Sequence, residues 1–279
     1  MSASSIRPLA VPARAAAPPA RPRAPFAEPS PGMTPGDGIA APLSKRVTLR
    51  EAALITELLA HVPPADRAAA QQAIPAILDA AGKAYGGDPN RIGYLLATAQ
   101  TESDFGSHMT EMGHSEAWYN QAYGGEDGNR PGTGDGFAYR GRGYVQTTHA
   151  GRYAELSRRL GLADVPALER GQPVLDARGR PKLEPALVAH PEKLTEPGLA
   201  ARALALGVAN NLFTHNPRAA LDATIPAGRK PGAVDFYHAR GIVSGIVKAQ
   251  AQAVARHATM YAQILAGYRH SVLDVVRTK

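Results

Sequence analysis

No cysteine occurs in the 279 residues, so no disulfide framework can hold this fold together and packing alone must do so. No run of 18 or more apolar residues occurs either, which leaves no ordinary transmembrane helix. Three familiar chemistries are also missing. Nine histidines are present, yet there is no His-Glu-x-x-His pair, and His108 and His114 stand six apart in a polar stretch, so no metal site is expected. No Gly-Lys-Ser or Gly-Lys-Thr follows Gly124-Gly125 or Gly141-x-Gly143, which excludes a phosphate loop. No Gly-x-Ser-x-Gly elbow marks a serine nucleophile. The reading that follows from these absences needs no cofactor.

Charge is present in moderate excess, +7 over the whole chain. Residues 1–46 carry Arg7, Arg14, Arg21, Arg23, Lys45 and Arg46 against Glu28 and Asp37, a surplus of four that leaves +3 for the rest. A mildly basic body suits an anionic polymer, whereas a nucleic-acid binder shows a dense basic stripe. The same first 46 residues are dominated by Pro, Ala, Ser and Arg, and Pro18-Pro19, Pro22, Pro25, Pro29, Pro31 and Pro35 forbid helix and sheet alike. Such a segment cannot bury enough apolar surface to offset its ordering entropy. Its arginines are not followed by an apolar run of signal-peptide length, so no Sec signal peptide is expected. The division predicted is a disordered tail over 1–46 and one domain over 47–279, with 44 % apolar residues to build its core.

Along that domain the helix signals are local and frequent. Thr48 and Glu51 form a capping box ahead of Ala52, Ile55, Leu58 and Leu59, and the helix should stop before Pro63. A second run follows Asp66, with Pro75 as a kink or a fresh first turn, and Gly86-Gly87 ends it. Asp88-Pro89 reads as N-cap and first-turn proline for a helix whose inner stripe is Ile92, Leu95, Leu96 and Ala99. Residues 106–136 are polar, glycine-rich and without period, the mark of a functional or mobile loop. The next segment, Tyr139-Arg140-Gly141-Arg142-Gly143-Tyr144-Val145-Gln146-Thr147-Thr148, reads as a short β-type run whose glycines let a ligand approach the backbone. Thr148 should cap a helix that Gly161 closes. Residues 162–196 read as proline-rich and irregular, Pro197 opens a helix ending in Phe213-Thr214, and Asn216-Pro217 starts a short one. A last, clear helix carries Val247, Ala251, Val254, Ala258, Tyr261, Leu265 and Tyr268 inward.

Extending the 92–99 stripe by three residues reaches Glu102. A carboxylate that continues a buried apolar stripe at the C-terminal end of a helix is disfavoured as an anion twice over, by desolvation and by the helix dipole. Those are the conditions a general acid needs near neutral pH. Facing a polar segment across a cleft, it would suit hydrolysis of a polysaccharide; the competing reading leaves it at a frayed helix end in water.

The pieces Tyr94-Leu95-Leu96-Ala97-Thr98-Ala99-Gln100-Thr101-Glu102, Gly134-Asp135-Gly136-Phe137-Ala138-Tyr139-Arg140-Gly141-Arg142-Gly143-Tyr144-Val145-Gln146 and Asp235-Phe236-Tyr237-His238-Ala239-Arg240-Gly241-Ile242-Val243-Ser244-Gly245 occur in that order. Together they resemble glycoside hydrolase family 19, in its bacterial and phage endolysin branch, over roughly residues 48–268. The resemblance implies an α+β, mainly helical, lysozyme-like two-lobed fold with a small β-sheet beside the catalytic cleft. It implies a peptidoglycan hydrolase that cleaves β-1,4 glycosidic bonds by inverting acid–base catalysis, with Glu102 as acid, Glu111 as base, Glu116 as the alternative base, and Thr148 holding the water. Tyr139, Arg140, Arg142, Gln146, Arg240 and Trp118 fall where the family lines its cleft, although the arginines can equally tie the cleft walls together. Ser244 stands where the family commonly has asparagine. A chitinase is the neighbouring reading, and an inactive glycan-binding module the reading from another class, which the presence of Glu102, Gln146 and Thr148 disfavours. The partners implied are peptidoglycan glycan strands, with an immunity protein or delivery machinery; no nucleic acid, and a monomer. Without a Sec signal, the chain would be made in the cytoplasm and reach the periplasm or cell wall after holin release or contact-dependent secretion.

Overall fold

The computed structural model describes residues 49–169, 172–214 and 216–268; the tail expected over 1–46 and the capping residue Thr48 lie outside them. The fold is mainly helical α+β. Its helices are α1 (Leu49–Ala60), α2 (Arg67–Tyr85), α3 (Pro89–Ser103), α4 (Glu116–Tyr123), α5 (Asp135–Ala138), α6 (Ala150–Arg159), α7 (Ala186–Ala189), α8 (Pro197–Ala209), α9 (Leu221–Thr224), α10 (Phe236–Ala239) and α11 (Lys248–Gly267). Four two-residue strands, β1 (Val165–Pro166), β2 (Leu168–Glu169), β3 (Gln172–Pro173) and β4 (Leu183–Glu184), pair antiparallel as β1 with β4 and β2 with β3.

Helix α3 is the axis on which the rest is built. Asp88 caps it, its Oδ1 accepting from the backbone N–H of Asn90 and Arg91 at 2.9 and 3.1 Å, and every residue from Ile92 to Gln100 is buried. A helix enclosed on all sides needs close neighbours, and α11 supplies the closest. A Cβ on Gly93 would lie 2.8 Å from both Ala258 O and Ala262 N of α11, so the two backbones touch where glycine allows it. Two hydroxyls add to the packing around α3: Tyr94 donates to Ala239 O of α10 at 2.7 Å and Tyr261 of α11 donates to Gln100 Oε1 at 2.9 Å. Helix α2 runs unbroken through Pro75 and stops at Gly86, whose φ of 61° is the left-handed conformation that a helix C-terminus favours.

Two apolar clusters result. The larger joins α1, α2, α3, α11 and one face of α8 through residues such as Leu58, Ile77, Leu95, Leu204 and Val254. The smaller holds Tyr153 and Leu156 of α6, Leu160 just after it, Leu187 of α7, Leu194, Leu212 and, from the other face of α8, Ala203. Helix α8 is therefore the wall between them. It ends at Ala209 rather than at Phe213-Thr214, because Asn211, at φ 52°, turns the chain.

Three expectations are corrected here. Residues 106–136 contain α4, begun by Ser115, whose Oγ accepts from Trp118 N at 3.2 Å; the surrounding glycines hid its short period. His149, at φ 70° and without a side-chain cap bond, occupies the position before α6 where Thr148 was expected to cap. All four strands fall within residues 162–196, expected to be irregular. There Ala167 N donates to Lys182 O (2.7 Å), Val174 N to Ala167 O (2.8 Å) and Lys182 N to Val174 O (2.7 Å). Leu183 lies opposite Pro166, Leu168 opposite Pro173, and Leu175 opposite Pro181. Residues two apart share a face, so three leucines and three prolines lie together on the exposed side of this arm. Proline donates no N–H, which blunts an open sheet edge.

Candidate active site

Glu102 sits in the last turn of α3 with its side chain mostly buried. Beyond it Asp104 and Phe105 adopt φ of 50° and 55°, and the Asp104 N–H turns back onto Ala99 O and Gln100 O. This sharp reversal stops the helix and leaves the carboxyl at the edge of the core. Arg240, in the turn after α10, brings Nη2 to 2.6 Å from Glu102 Oε1. Arg240 is only 3 % exposed. The Glu102 oxygen and the Arg240 Nε and Nη1 make no hydrogen bond of acceptable direction, so the contact is an ion pair rather than a bidentate clasp. Burial pushes the Glu102 carboxyl above the ordinary glutamate range, and Arg240 pulls it part of the way back. Burial is the larger influence, so the carboxyl holds its proton more tightly than a glutamate in water.

The 139–148 segment is not the β-strand its residues suggest. Arg142 and Thr147 exchange both backbone bonds, Arg142 N to Thr147 O at 3.0 Å and the reverse at 2.8 Å. Between them the chain turns through Gly143 (φ 79°) and Gln146 (φ 52°). On the other side Gly143 N donates to Met109 O and Glu111 N donates to Gly141 O, at 2.9 and 2.8 Å. The expected sheet beside the site is thus three backbone segments joined by single bridges.

Glu111 lies on this patch. Its Oε2 accepts from Gly141 N at 3.0 Å and its Oε1 from the Tyr123 hydroxyl at 2.9 Å. A Cβ on Gly141 would stand 2.8 Å from Gln146 Oε1 and 3.2 Å from Glu111 Oε2. The glycine predicted to admit a ligand instead makes room for these two side chains. Both carboxylate oxygens are therefore held in place. Glu116, the alternative base, is the exposed first residue of α4.

The remaining predicted residues divide by direction. Arg142 is 7 % exposed and points inward, donating to Ala138 O (2.5 Å) and the Tyr153 hydroxyl (3.2 Å); it braces the turn against α6. Arg140 donates to Glu111 O and Phe137 O at 3.1 and 2.7 Å and lies 3.9 Å over the Phe137 ring, so it too ties walls together. Tyr139 donates to Val188 O at 3.1 Å and packs on Tyr153. Gln146 uses its amide N–H groups on His108 O and Gly143 O, both at 3.0 Å. Trp118, 40 % exposed, stacks on His114 with centroids 3.7 Å apart and meets Tyr119 and Tyr123 edge to face.

Thr148 and Gln146 open onto a recess of ≈ 490 Å³ shared with Asp127, His149, Arg152 and Phe213. Sequence reading missed Asp127, Asn129 and His149. Asp127 and His149 have φ of 37° and 70°, and such strain clusters at functional sites, but it leaves no mark in residue type. Asn129 links the recess to the carboxylate: its Nδ2 donates to Tyr123 O at 2.8 Å and lies 3.3 Å from His149 Nδ1, while the Tyr123 hydroxyl reaches Glu111. Among the described residues no cluster of three or more histidines and carboxylates assembles as metal ligands would.

No family model matches the chain, and no curated protein sequence matches it. Solved structures similar to it include two of one chitinase. Chitinase C from Streptomyces griseus HUT6037 has 18 % sequence identity and a TM-score of 0.46, with 77 % of this chain and 75 % of that one covered. A mutant of chitinase C gives 18 % and 0.45 over the same shares.

Proposed function

We propose that this chain is a glycoside hydrolase that cleaves β-1,4 bonds in the glycan strands of peptidoglycan with inversion. The observation that supports the reading most is Glu102: a carboxyl buried at a helix end, its affinity for the proton raised by burial and moderated by Arg240. That is what a general acid working near neutral pH requires. In the proposed step Glu102 gives its proton to the glycosidic oxygen as the C1–O bond breaks. A water on the opposite face of the sugar bonds to C1 and passes its proton to Glu111. Inverting enzymes keep the two carboxyl groups roughly 6.5 to 9.5 Å apart so that this water fits. Thr148, whose hydroxyl both donates and accepts, is the candidate to hold it. The partly exposed indole of Trp118 is the candidate to stack against a sugar ring.

Peptidoglycan is preferred over chitin because stem-peptide carboxylates give the wall polymer a charge complementary to the basic body of the chain. On this reading the enzyme reaches the wall after holin release or contact-dependent secretion, and in the second case an immunity protein would accompany it. Turnover of purified wall and of chitin oligomers by the full chain tests the substrate: equal or faster turnover of chitin would make it a chitinase. Glu102→Gln keeps an oxygen that can accept from Arg240 but has no proton to give, a loss of about 10²- to 10⁴-fold. Activity within a few-fold of the unsubstituted protein would remove Glu102 from the acid role. Proton NMR of the first-formed reducing ends reads the anomer, and retention would exclude Glu111 as base to a water.

A further inference from the structure

At the end of α3 away from Glu102 the surface holds a second recess, of ≈ 500 Å³, whose walls include Tyr85, Gly86, Asp88, Gly228, Arg229 and Lys230. Helix α3 is 15 residues long, about 20 Å at 1.5 Å per residue, so this recess is separate from the carboxyl site. Its charge is unbalanced. Asp88 is the acid in its wall, and that carboxylate is already engaged: Oδ1 accepts from Asn90 N and Arg91 N, and Oδ2 accepts from Gly228 N at 3.1 Å. The first N–H groups of α3 are satisfied in the same way, so the helix end contributes no free donors there. Arg91 nearby is spent on Asp222 and on Ile225 O. Arg229 and Lys230 remain, adjacent and exposed, and among the described residues no ion pair neutralises either.

The loop carrying these two cations is held from within. Asn90 is fully buried, and its Nδ2 donates to both Arg229 O and Lys230 O at 3.1 Å while its Oδ1 accepts from Gly232 N at 2.8 Å. A buried amide is costly unless satisfied, and this one is satisfied entirely by a surface loop. It therefore fixes the backbone of the very residues that bear the charge, and Pro231 stiffens the turn that follows. Space is left for a ligand as well: no atom lies within 4 Å of where a Cβ would stand on Gly86 or Gly228.

We propose that this recess is a second binding site for an anionic segment of the wall polymer, whose carboxylate or phosphodiester groups are held by Arg229 and Lys230. The identity of the polymer rests on the function proposed above; the anion site itself does not. Such a contact would tether the enzyme to an insoluble substrate and raise the effective concentration of glycan at the distant carboxyl site.

The test uses the full chain with Arg229→Gln and Lys230→Gln together. The structural hydrogen bonds of this loop run through its backbone carbonyls and N–H groups, so the variant should melt with the unsubstituted protein. Both proteins are co-sedimented in the cold with purified cell-wall sacculi at low and at high salt. Binding by the variant should be about tenfold weaker at low salt, roughly 1.4 kcal/mol, and the two should converge at high salt as screening removes the charge contribution. Turnover of short, soluble, uncharged oligosaccharides should be unchanged, since the two sites lie more than a Debye length apart. Sacculi with amidated carboxylates, and sacculi stripped of phosphodiester polymers, separate the two sources: loss of the difference on either treatment assigns the anion. Equal binding at low salt, a deficit that persists at high salt, or a difference that survives both treatments would overturn the proposal. If the unsubstituted chain hydrolyses no glycan, the enzymatic reading fails while the sedimentation result still stands on its own.

Discussion

Replacing Glu102 by leucine should cost more stability than replacing Arg240 by methionine, because the two charges of the pair have unequal means of escape. Arg240 is almost fully buried, and two of its nitrogens already lack a protein partner. A guanidinium does not give up its proton in a protein, so Glu102→Leu strands a full positive charge in the interior. Removing one partner of a buried ion pair costs about 3 to 5 kcal/mol. For a domain of this size each kcal/mol moves the melting temperature by about 2 to 4 °C, giving a fall of about 6 to 20 °C. Arg240→Met leaves instead a carboxyl that can take up a proton and become neutral, so its fall at neutral pH should be clearly smaller. The two variants also differ in their dependence on pH. The folded-state pKa of Glu102 is raised by burial and restrained by Arg240. A raised carboxyl destabilises the fold when ionised, a cost fully present above the folded pKa, relieved as pH falls from there toward the unfolded value of about 4.3, and gone below it. Without Arg240 burial acts unopposed and the folded pKa rises further, so the Arg240→Met deficit should be largest at neutral and alkaline pH and close as the solution is acidified. The Glu102→Leu deficit should not close in this way, because the unsubstituted carboxyl it is measured against is itself relieved as pH falls. Thermal melts of both variants from acid to neutral pH measure this directly. Equal deficits at neutral pH, or an Arg240→Met deficit indifferent to pH, would refute the argument.

Other residues give sharp expectations. Tyr123→Phe removes the hydroxyl that holds Glu111 Oε1; if Glu111 is the base of the proposed glycan hydrolysis, then, since a hydrogen bond to a charged group contributes about 1.5 to 3 kcal/mol, kcat on wall polymer should fall about tenfold or more with KM little changed. Gly93→Ala places a methyl 2.8 Å from two backbone atoms of α11; the gain in helix propensity of about 1 kcal/mol is outweighed by overpacking of about 1 to 3 kcal/mol or more where the obstacle is backbone, so calorimetry should record a lower melting temperature. Asp88→Ala removes the α3 cap, about 1 kcal/mol, together with the bond to Gly228 N, and hydrogen exchange should rise both in the first turn of α3 and in the 228–232 loop.

The elements whose causes are local were legible in the residues alone. Asp88-Pro89 announced the start of α3 and Gly86 the end of α2, because a cap needs only its own neighbours. The stripe through Ile92, Leu95, Leu96 and Ala99 pointed to Glu102 because helical period carries a position forward by simple geometry. That sequence reading also named Arg240, 138 positions away by its number, only through resemblance; its pairing with Glu102 is decided by the docking of α11 and the turn after α10 onto α3, which no local signal encodes. The same holds for Glu111, whose oxygens are fixed by Gly141 and Tyr123 from two other segments, and for Arg142, where cleft lining and wall brace stayed equally open in sequence until the turn carried it inward to Tyr153. The β arm went unread because its prolines, which in sequence argue for irregular chain, act here at the edges of two-residue strands where their missing N–H does no harm. Periodicity and capping determine which stretches are helical and which face of each is apolar; which carboxylate meets which cation depends on contacts between distant segments, and those form only when the helices close around α3.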